Sequence, residues 1–458
     1  MPASDRSPSS RDPKSALGAG FGSRLVLRGG RVVDPASNTD ALLDVRIEGG
    51  AVAEVGPSLE PAGAAVVDCA GLVIAPAFVD LHTHLREPGR EDAETIESGS
   101  RAAALGGFSA VCAMANTNPV ADSAAVVEQV FTTGRAIGLV DVFPVGALTV
   151  GLQGERLAEI GEMHDSRARV NFFSDDGRCV QDSGLMRRAL EYAKAFGAIV
   201  ANHAEDAGLA EGGAMNEGEV SGLLGMPGIP GEAEELIIAR DIALTKLTGS
   251  RLHVPHVSTA GSVQLIRAAK AAGVSVTAEA TPHHLSLTDT LVASFDPVFK
   301  VAPPLRSRGD VEAVRAALAD GIIDCVATDH APHAREDKER EFDKAPPGML
   351  GLETALAVLI TEMVAPGRIG LGELIDRMST APARIRGLEG HGGPILKGAA
   401  ATLVAFDPEA RWTVDPARLA SLSDNTPFAG RELQGKVVHT MLRGKFTVRD
   451  GEVVDGQG

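Results

Sequence analysis

Leu72-Val73-Ile74-Ala75-Pro76-Ala77-Phe78-Val79-Asp80-Leu81-His82-Thr83-His84-Leu85-Arg86 is an apolar run that ends in two histidines and an arginine. Its length and β-branched content fit a buried strand, expected over residues 72–80, better than a helix. Side chains alternate along a strand, so His82 and His84 point the same way and can grip one metal ion from a single strand end. Arg86 extends that face by one step, where a guanidinium could hold a substrate carboxylate with two parallel hydrogen bonds. A His-x-His triplet alone is more often chance on a buried strand, and the downstream sequence reverses that balance.

From 76 to 388 the chain alternates strand-like and helix-like segments. Strands are expected at 72–80, 108–115, 141–148, 169–174, 198–201, 251–255, 274–279 and 324–328. Ala/Leu/Glu-rich stretches at 124–133, 184–195, 232–247, 262–272 and 311–319 carry the apolar spacing of helices. Eight strands with intervening helices predict an α/β fold, a (β/α)8 TIM-type barrel whose strand C-terminal ends carry the active site. Segments 24–75 and 389–458 read instead as short strands between Gly and Pro turns, and neither end makes a comfortable sheet alone. The two are expected to pair into one small composite β-sandwich. Residues 1–23, rich in Ser, Pro, Gly and charge, are expected to be a disordered tail.

The 458 residues carry a net charge of −18, which repels a phosphate backbone and argues against nucleic acid as a partner. No apolar run approaches the length needed to span a bilayer, so no membrane association is expected. The four cysteines, Cys69, Cys112, Cys179 and Cys325, are far apart and form no Cys-x-x-Cys pair, against a disulfide framework and in favour of a reducing cytoplasm. Cys112 and Cys325 fall in expected strands as small buried groups.

Read in order, the expected strand ends carry His82 and His84, Asn116, Asp175-Asp176, His203, His256, His283-His284, and Asp329-His330 with His333. Each alone is more often a helix cap or a satisfied core group. Together, four histidines and two aspartates at one rim are what two divalent ions with a bridging carboxylate require. No phosphate-cradling glycine motif and no Gly-x-Ser-x-Gly elbow competes.

Val79-Asp80-Leu81-His82-Thr83-His84, Ala201-Asn202-His203-Ala204-Glu205-Asp206, His256-Val257-Ser258-Thr259 and Ala327-Thr328-Asp329-His330-Ala331-Pro332-His333 resemble the amidohydrolase superfamily. Within it they are similar to the long-chain, type I dihydroorotases, as are Glu87-Pro88-Gly89, Met114-Ala115-Asn116-Thr117 and Ala302-Pro303-Pro304-Leu305-Arg306. The resemblance implies a barrel-plus-sandwich fold and two zinc ions per subunit. His82 and His84 with Asp329 would hold the first ion, His203 and His256 the second, and Asp176 would bridge them. In hydantoinases, dihydropyrimidinases and allantoinases the bridge is a carboxylated lysine on this strand, and Arg169-Val170-Asn171-Phe172-Phe173-Ser174 has no lysine.

The activity so implied is reversible cyclisation of N-carbamoyl-L-aspartate to L-dihydroorotate in pyrimidine biosynthesis, with Asp329 as the proton carrier. Arg86, Asn116, His333 and the Pro347-Gly348 backbone would contact substrate. Ala302 stands where the family often has Asn, so one substrate hydrogen bond is expected to be missing. His283 and His284 are expected to be structural, and 334–347 to be a loop over the rim. Two other functions compete: a non-catalytic partner of aspartate carbamoyltransferase, which would typically lack metal ligands, and another cyclic amidase such as an allantoinase or dihydropyrimidinase. Association with aspartate carbamoyltransferase or with further copies of the chain stays open at this level.

Overall fold

The computed structural model describes residues 24–454, so the expected tail at 1–23 lies outside the described residues. Among the described residues nineteen strands follow in chain order. They are β1 (Arg24–Asp34), β2 (Thr39–Glu48), β3 (Ala51–Gly56), β4 (Ala65–Asp68), β5 (Val73–Pro76), β6 (Phe78–Thr83), β7 (Phe108–Ala113), β8 (Asp141–Pro144), β9 (Phe172–Phe173) and β10 (Ile199–Ala201). After them come β11 (Met215–Asn216), β12 (Gly228–Ile229), β13 (Arg251–Val254), β14 (Val276–Ala280), β15 (Cys325–Val326), β16 (Leu403–Thr413), β17 (Glu432–Leu442), β18 (Lys445–Arg449) and β19 (Glu452–Val453).

The two chain ends do meet. One nine-stranded sheet runs β19-β18-β17-β16-β5-β1-β2-β3, with β4 also paired to β1. The seam between the ends is β5, parallel to β1 and antiparallel to β16, with Ile74 opposite Ala405. One face of this sheet packs Leu27, Val45, Ile47, Ile74, Leu403 and Met441 into a core of its own.

The opening stretch departs from the single strand expected at 72–80. It breaks into β5, which joins the end sheet, and β6, which pairs in parallel with β7, with Ala77 alone between them. Ala77 N–H donates to Thr402 in one layer, while Phe78 N–H donates to Gly107 in the other. The ladder therefore changes partner at that residue, next to Pro76, which has no N–H to continue it.

Strands β6-β7-β8 and β9-β10-β13-β14-β15 pair in parallel throughout. Two further parallel bridges, Gly146 with Phe173 and Thr83 with His330, connect these groups to one another. Alternate strand residues serve two cores. Val111, Val200, Leu252, Val254, Ala278 and Val326 pack outward with helix residues, while Val79, Leu81, Cys112, Phe172, Ala201 and Cys325 form a separate cluster. Helices follow the strand ends, some of them within about ten residues. Asp182, Thr259 and Ser307 cap those at Ser183–Ala195, Ala260–Ala271 and Arg308–Ala319. Such caps fix where each rim loop must stop.

Candidate metal centre

The histidine and aspartate positions that follow the strands converge. His82 is the penultimate residue of β6, His84 lies just beyond it, and Asp176, His203, His256 and Asp329 follow β9, β10, β13 and β15. All six are buried. His82 Nε2 lies 3.4 Å from both Asp176 and Asp329, and His84 Nε2 lies 3.3 Å and 3.1 Å from the same two carboxylates. On the far side of Asp176, His203 Nδ1 and His256 Nε2 each stand 3.4 Å from Oδ1, and 2.9 Å from one another. Asp176 thus belongs to two ligand groups, one with His82 and His84 and one with His203 and His256; ligand atoms within each lie within 4.8 Å of one another.

These residues fit a metal. His82 Nε2 is buried without a hydrogen-bond partner, a costly state for a polar atom unless something else occupies that direction. Its other nitrogen is engaged: Nδ1 lies 2.9 Å from Glu279 Oε1, whose second oxygen is 2.9 Å from Nε2 of His253. A carboxylate behind a ligating imidazole fixes its tautomer and turns the free lone pair towards the ion. Asn116 does the same for His84, its Oδ1 being 2.8 Å from Nδ1. The electrostatics agree. Burial opposes a charge on His82, yet Asp176 and Asp329 outweigh it and raise its pKa well above the ordinary imidazole value. Burial would raise both aspartates, but His82 and the neighbouring imidazoles hold Asp176 and Asp329 below the usual carboxylate range. The pocket is built to hold positive charge between two carboxylates.

The adjoining Asp175 has a different job. Its carboxylate accepts from Leu148 and Thr149 N–H at 2.7 Å and 3.0 Å and from the Thr149 hydroxyl, which locks the turn carrying Asp176. Asp80 ties β6 to the Asp329 turn by accepting from Thr328 N–H at 3.0 Å and its hydroxyl at 2.6 Å. Burial pushes the Asp80 carboxyl up to about 7. Three rim residues, Arg86, His256 and Asp329, have left-handed backbones with φ of 61°, 32° and 48°. Non-glycine residues take that region at a cost, which the surrounding contacts must offset.

Arg86 does not continue the strand face, because β6 has ended and its own φ turns the chain. It arrives at the rim all the same: Nε donates to the Pro332 carbonyl at 2.9 Å, and Nη2 lies 3.5 Å from His333 Nε2. His333 Nε2 in turn sits 2.8 Å from the Pro347 carbonyl. Gly348 could be no other residue, since a Cβ there would stand 2.6 Å from His333 Nε2 and 2.9 Å from the Ala331 carbonyl. Ala302 is half-buried beside Pro303, whose carbonyl lies 3.0 Å from His284 Nε2. His284 is also 2.9 Å from the Thr281 hydroxyl, whereas buried His283 leaves Nε2 unpartnered. The 334–347 segment holds a short helix, Arg335–Lys338, and Lys338 Nζ donates to the carbonyls of Pro297 and Pro346, both at 2.9 Å.

Four functional neighbours escaped the sequence reading: Glu279, His253, Glu94 and Asn425. Only Glu279 left a signal, a lone carboxylate between Ala278 and Ala280 near a strand end.

Parallel strands carrying histidines and aspartates at one rim are the architecture of metal-dependent cyclic-amide hydrolases, and the solved structures agree. The chain superposes on an L-hydantoinase (dihydropyrimidinase) from Arthrobacter aurescens with a TM-score of 0.83 and 27% identity, covering 94% of this chain and 97% of that one. A dihydropyrimidinase from Brevibacillus agri gives 0.81 and 27%, covering 94% and 96%. In sequence it is 55% identical to a dihydroorotase of Streptomyces coelicolor over 94% of this chain and 100% of the relative. It is 52% identical to that of Mycobacterium tuberculosis over 94% and 99%. The Dihydro-orotase-like family profile matches residues 71–262. The chain belongs to the dihydroorotase family.

Proposed function

We propose that this protein is a zinc-dependent type I dihydroorotase, interconverting L-dihydroorotate and N-carbamoyl-L-aspartate in pyrimidine biosynthesis. The observation that carries the reading is the shared Asp176 carboxylate, flanked by His82 and His84 on one side and His203 and His256 on the other. His82, His84 and Asp329 would hold one zinc ion and His203 and His256 a second, with Asp176 shared, and the ions would supply the Lewis acidity that brings a water molecule's pKa towards neutrality. Asp329 takes the proton of the attacking water and delivers it to the departing ring nitrogen. Arg86 is assigned to the substrate carboxylate, and Asn116, His333 and the Pro347-Gly348 backbone to the ring.

The proposed architecture is a (β/α)8 barrel over 76–388, with 24–75 and 389–458 forming the composite sandwich. Supporting it are the parallel pairs from β6 to β15 and the two bridges that join them. No helix of the described residues is long and apolar enough to cross a membrane. The cytoplasm is the proposed setting. Co-purification would test aspartate carbamoyltransferase and a second copy of the chain as partners.

Six filled and converging ligand positions weigh against a non-catalytic scaffold, and the absence of lysine from 169–174 weighs against a hydantoinase or allantoinase. The test is metal analysis of the purified protein together with hydrolysis of dihydroorotate, hydantoin and allantoin. Two zinc ions and selective turnover of dihydroorotate are expected. A fully zinc-loaded protein inert on dihydroorotate would overturn the assignment.

A further inference from the structure

The connection between β16 and β17 leaves the end sheet and runs along the catalytic rim. Ser421 through its hydroxyl and Leu422 through its N–H bind buried Glu94, which also holds His330 at 3.2 Å. Ser423 donates to the Ala93 carbonyl at 2.7 Å. Beyond these anchors the buried Asn425 side chain reaches three points at once. Nδ2 donates to the carbonyls of Ala331 and Gly348, both at 3.1 Å, and Oδ1 accepts from the His333 N–H at 3.2 Å. The partners settle the orientation of the amide, because two carbonyls need its donor pair and an N–H needs its acceptor.

We propose that Asn425 is a positioning residue for substrate recognition, holding His333 and Gly348 in the mutual placement in which both meet the ligand. The inference rests on the substrate contacts assigned in the proposed function. Its physical basis is that 331–333 and 347–348 come from separate parts of the chain and touch without slack at Gly348. His333 Nε2 already meets the Pro347 carbonyl, and Ala331 N–H donates to Met349 at 2.8 Å, so the segments are joined directly; Asn425 adds the contacts that fix the His333 and Gly348 backbones against each other. Removing it loosens that placement, which weakens binding of the ring without touching the metal ligands.

The test uses full-length Asn425→Ala and Asn425→Asp, alone and with His333→Ala. Asn425→Asp keeps the size but turns a carboxylate towards two carbonyls. For Asn425→Ala, KM for dihydroorotate is expected to rise about tenfold with kcat nearly unchanged, the size of effect one or two hydrogen bonds carry. Asn425→Asp should be impaired at least as much, and zinc content should stay at the wild-type level in both. Because Asn425 acts through its neighbours, adding it to His333→Ala should cost little more than His333→Ala alone. An unchanged KM, fully additive effects, or loss of zinc and fold in both variants would overturn the inference. A wild type that ignores dihydroorotate but opens another cyclic amide would strike the substrate assignment instead, and the KM ratio on that amide would still decide Asn425.

Discussion

Oε1 of Glu279 lies 2.9 Å from Nδ1 of His82, so a fully buried imidazole of the candidate metal centre is oriented by a carboxylate behind it. The same carboxylate is 2.9 Å from His253 through its other oxygen, and these two imidazoles hold its pKa down at about 2 although burial pushes the other way.

Glu279→Gln should therefore weaken zinc binding with every direct ligand still present. A glutamine offers one acceptor oxygen and an amino group, so it cannot serve both imidazoles, and the loss of such a supporting contact costs about 10–100-fold in metal affinity. Competition with a chelator measures it. An unchanged dissociation constant would show that His82 is held by packing alone.

Asp176→Ala removes the one group common to both ligand clusters. Both metals should become labile together, and hydrolysis should fall with them. Retention of two tightly held ions, measured by elemental analysis, would show that the ions do not depend on this carboxylate.

Ala302→Asn restores an amide where the family often has one. If that amide holds substrate, kcat/KM towards dihydroorotate should rise by up to about tenfold, the worth of a single hydrogen bond. The residue is only half-buried. A fall in kcat/KM at unchanged zinc content would mean that neighbouring groups already fill the space and that the insertion overpacks it.

His333 should stay neutral across the physiological range. Burial, with Arg86 and Lys338 adding their charges, lowers its pKa to about 3. The sign follows from linkage: the unfolded chain takes up a proton near pH 6.5 while the folded one does not. Its contribution to stability is thus complete above about pH 6.5 and is lost progressively as pH falls towards 3. Proton NMR of the His333 ring should show no titration between about pH 5 and 8. A midpoint near 6.5 would place the imidazole in contact with solvent.

Much of this architecture could be read from the chain because its determinants are local. Apolar runs such as Phe108–Ala113 and helix-spaced stretches such as 184–195 and 262–272 fall within a few residues of the strands and helices that occur. Pairing between the two end segments was also legible: each end pairs its own strands, and β5 against β16 joins them, into one nine-stranded sheet. What could not be read is what depends on through-space neighbours. The partner change at Ala77 is invisible in an unbroken apolar run, and Arg86 was extrapolated along a strand that had already stopped. Asn425 gave no signal at all, because its three partners lie far from it in sequence.

The single residue between β5 and β6 also limits how this protein can move. A hinge needs a few residues free to change φ and ψ, and here both sides of Ala77 are bonded into different sheets. The end sheet and the strands that carry the candidate metal centre are therefore expected to move as one body, which would leave loops such as 334–347 to admit substrate. Heating should give one cooperative transition for the two layers. Separate melting of the end sheet, followed by calorimetry or hydrogen exchange, would show that Ala77 yields after all.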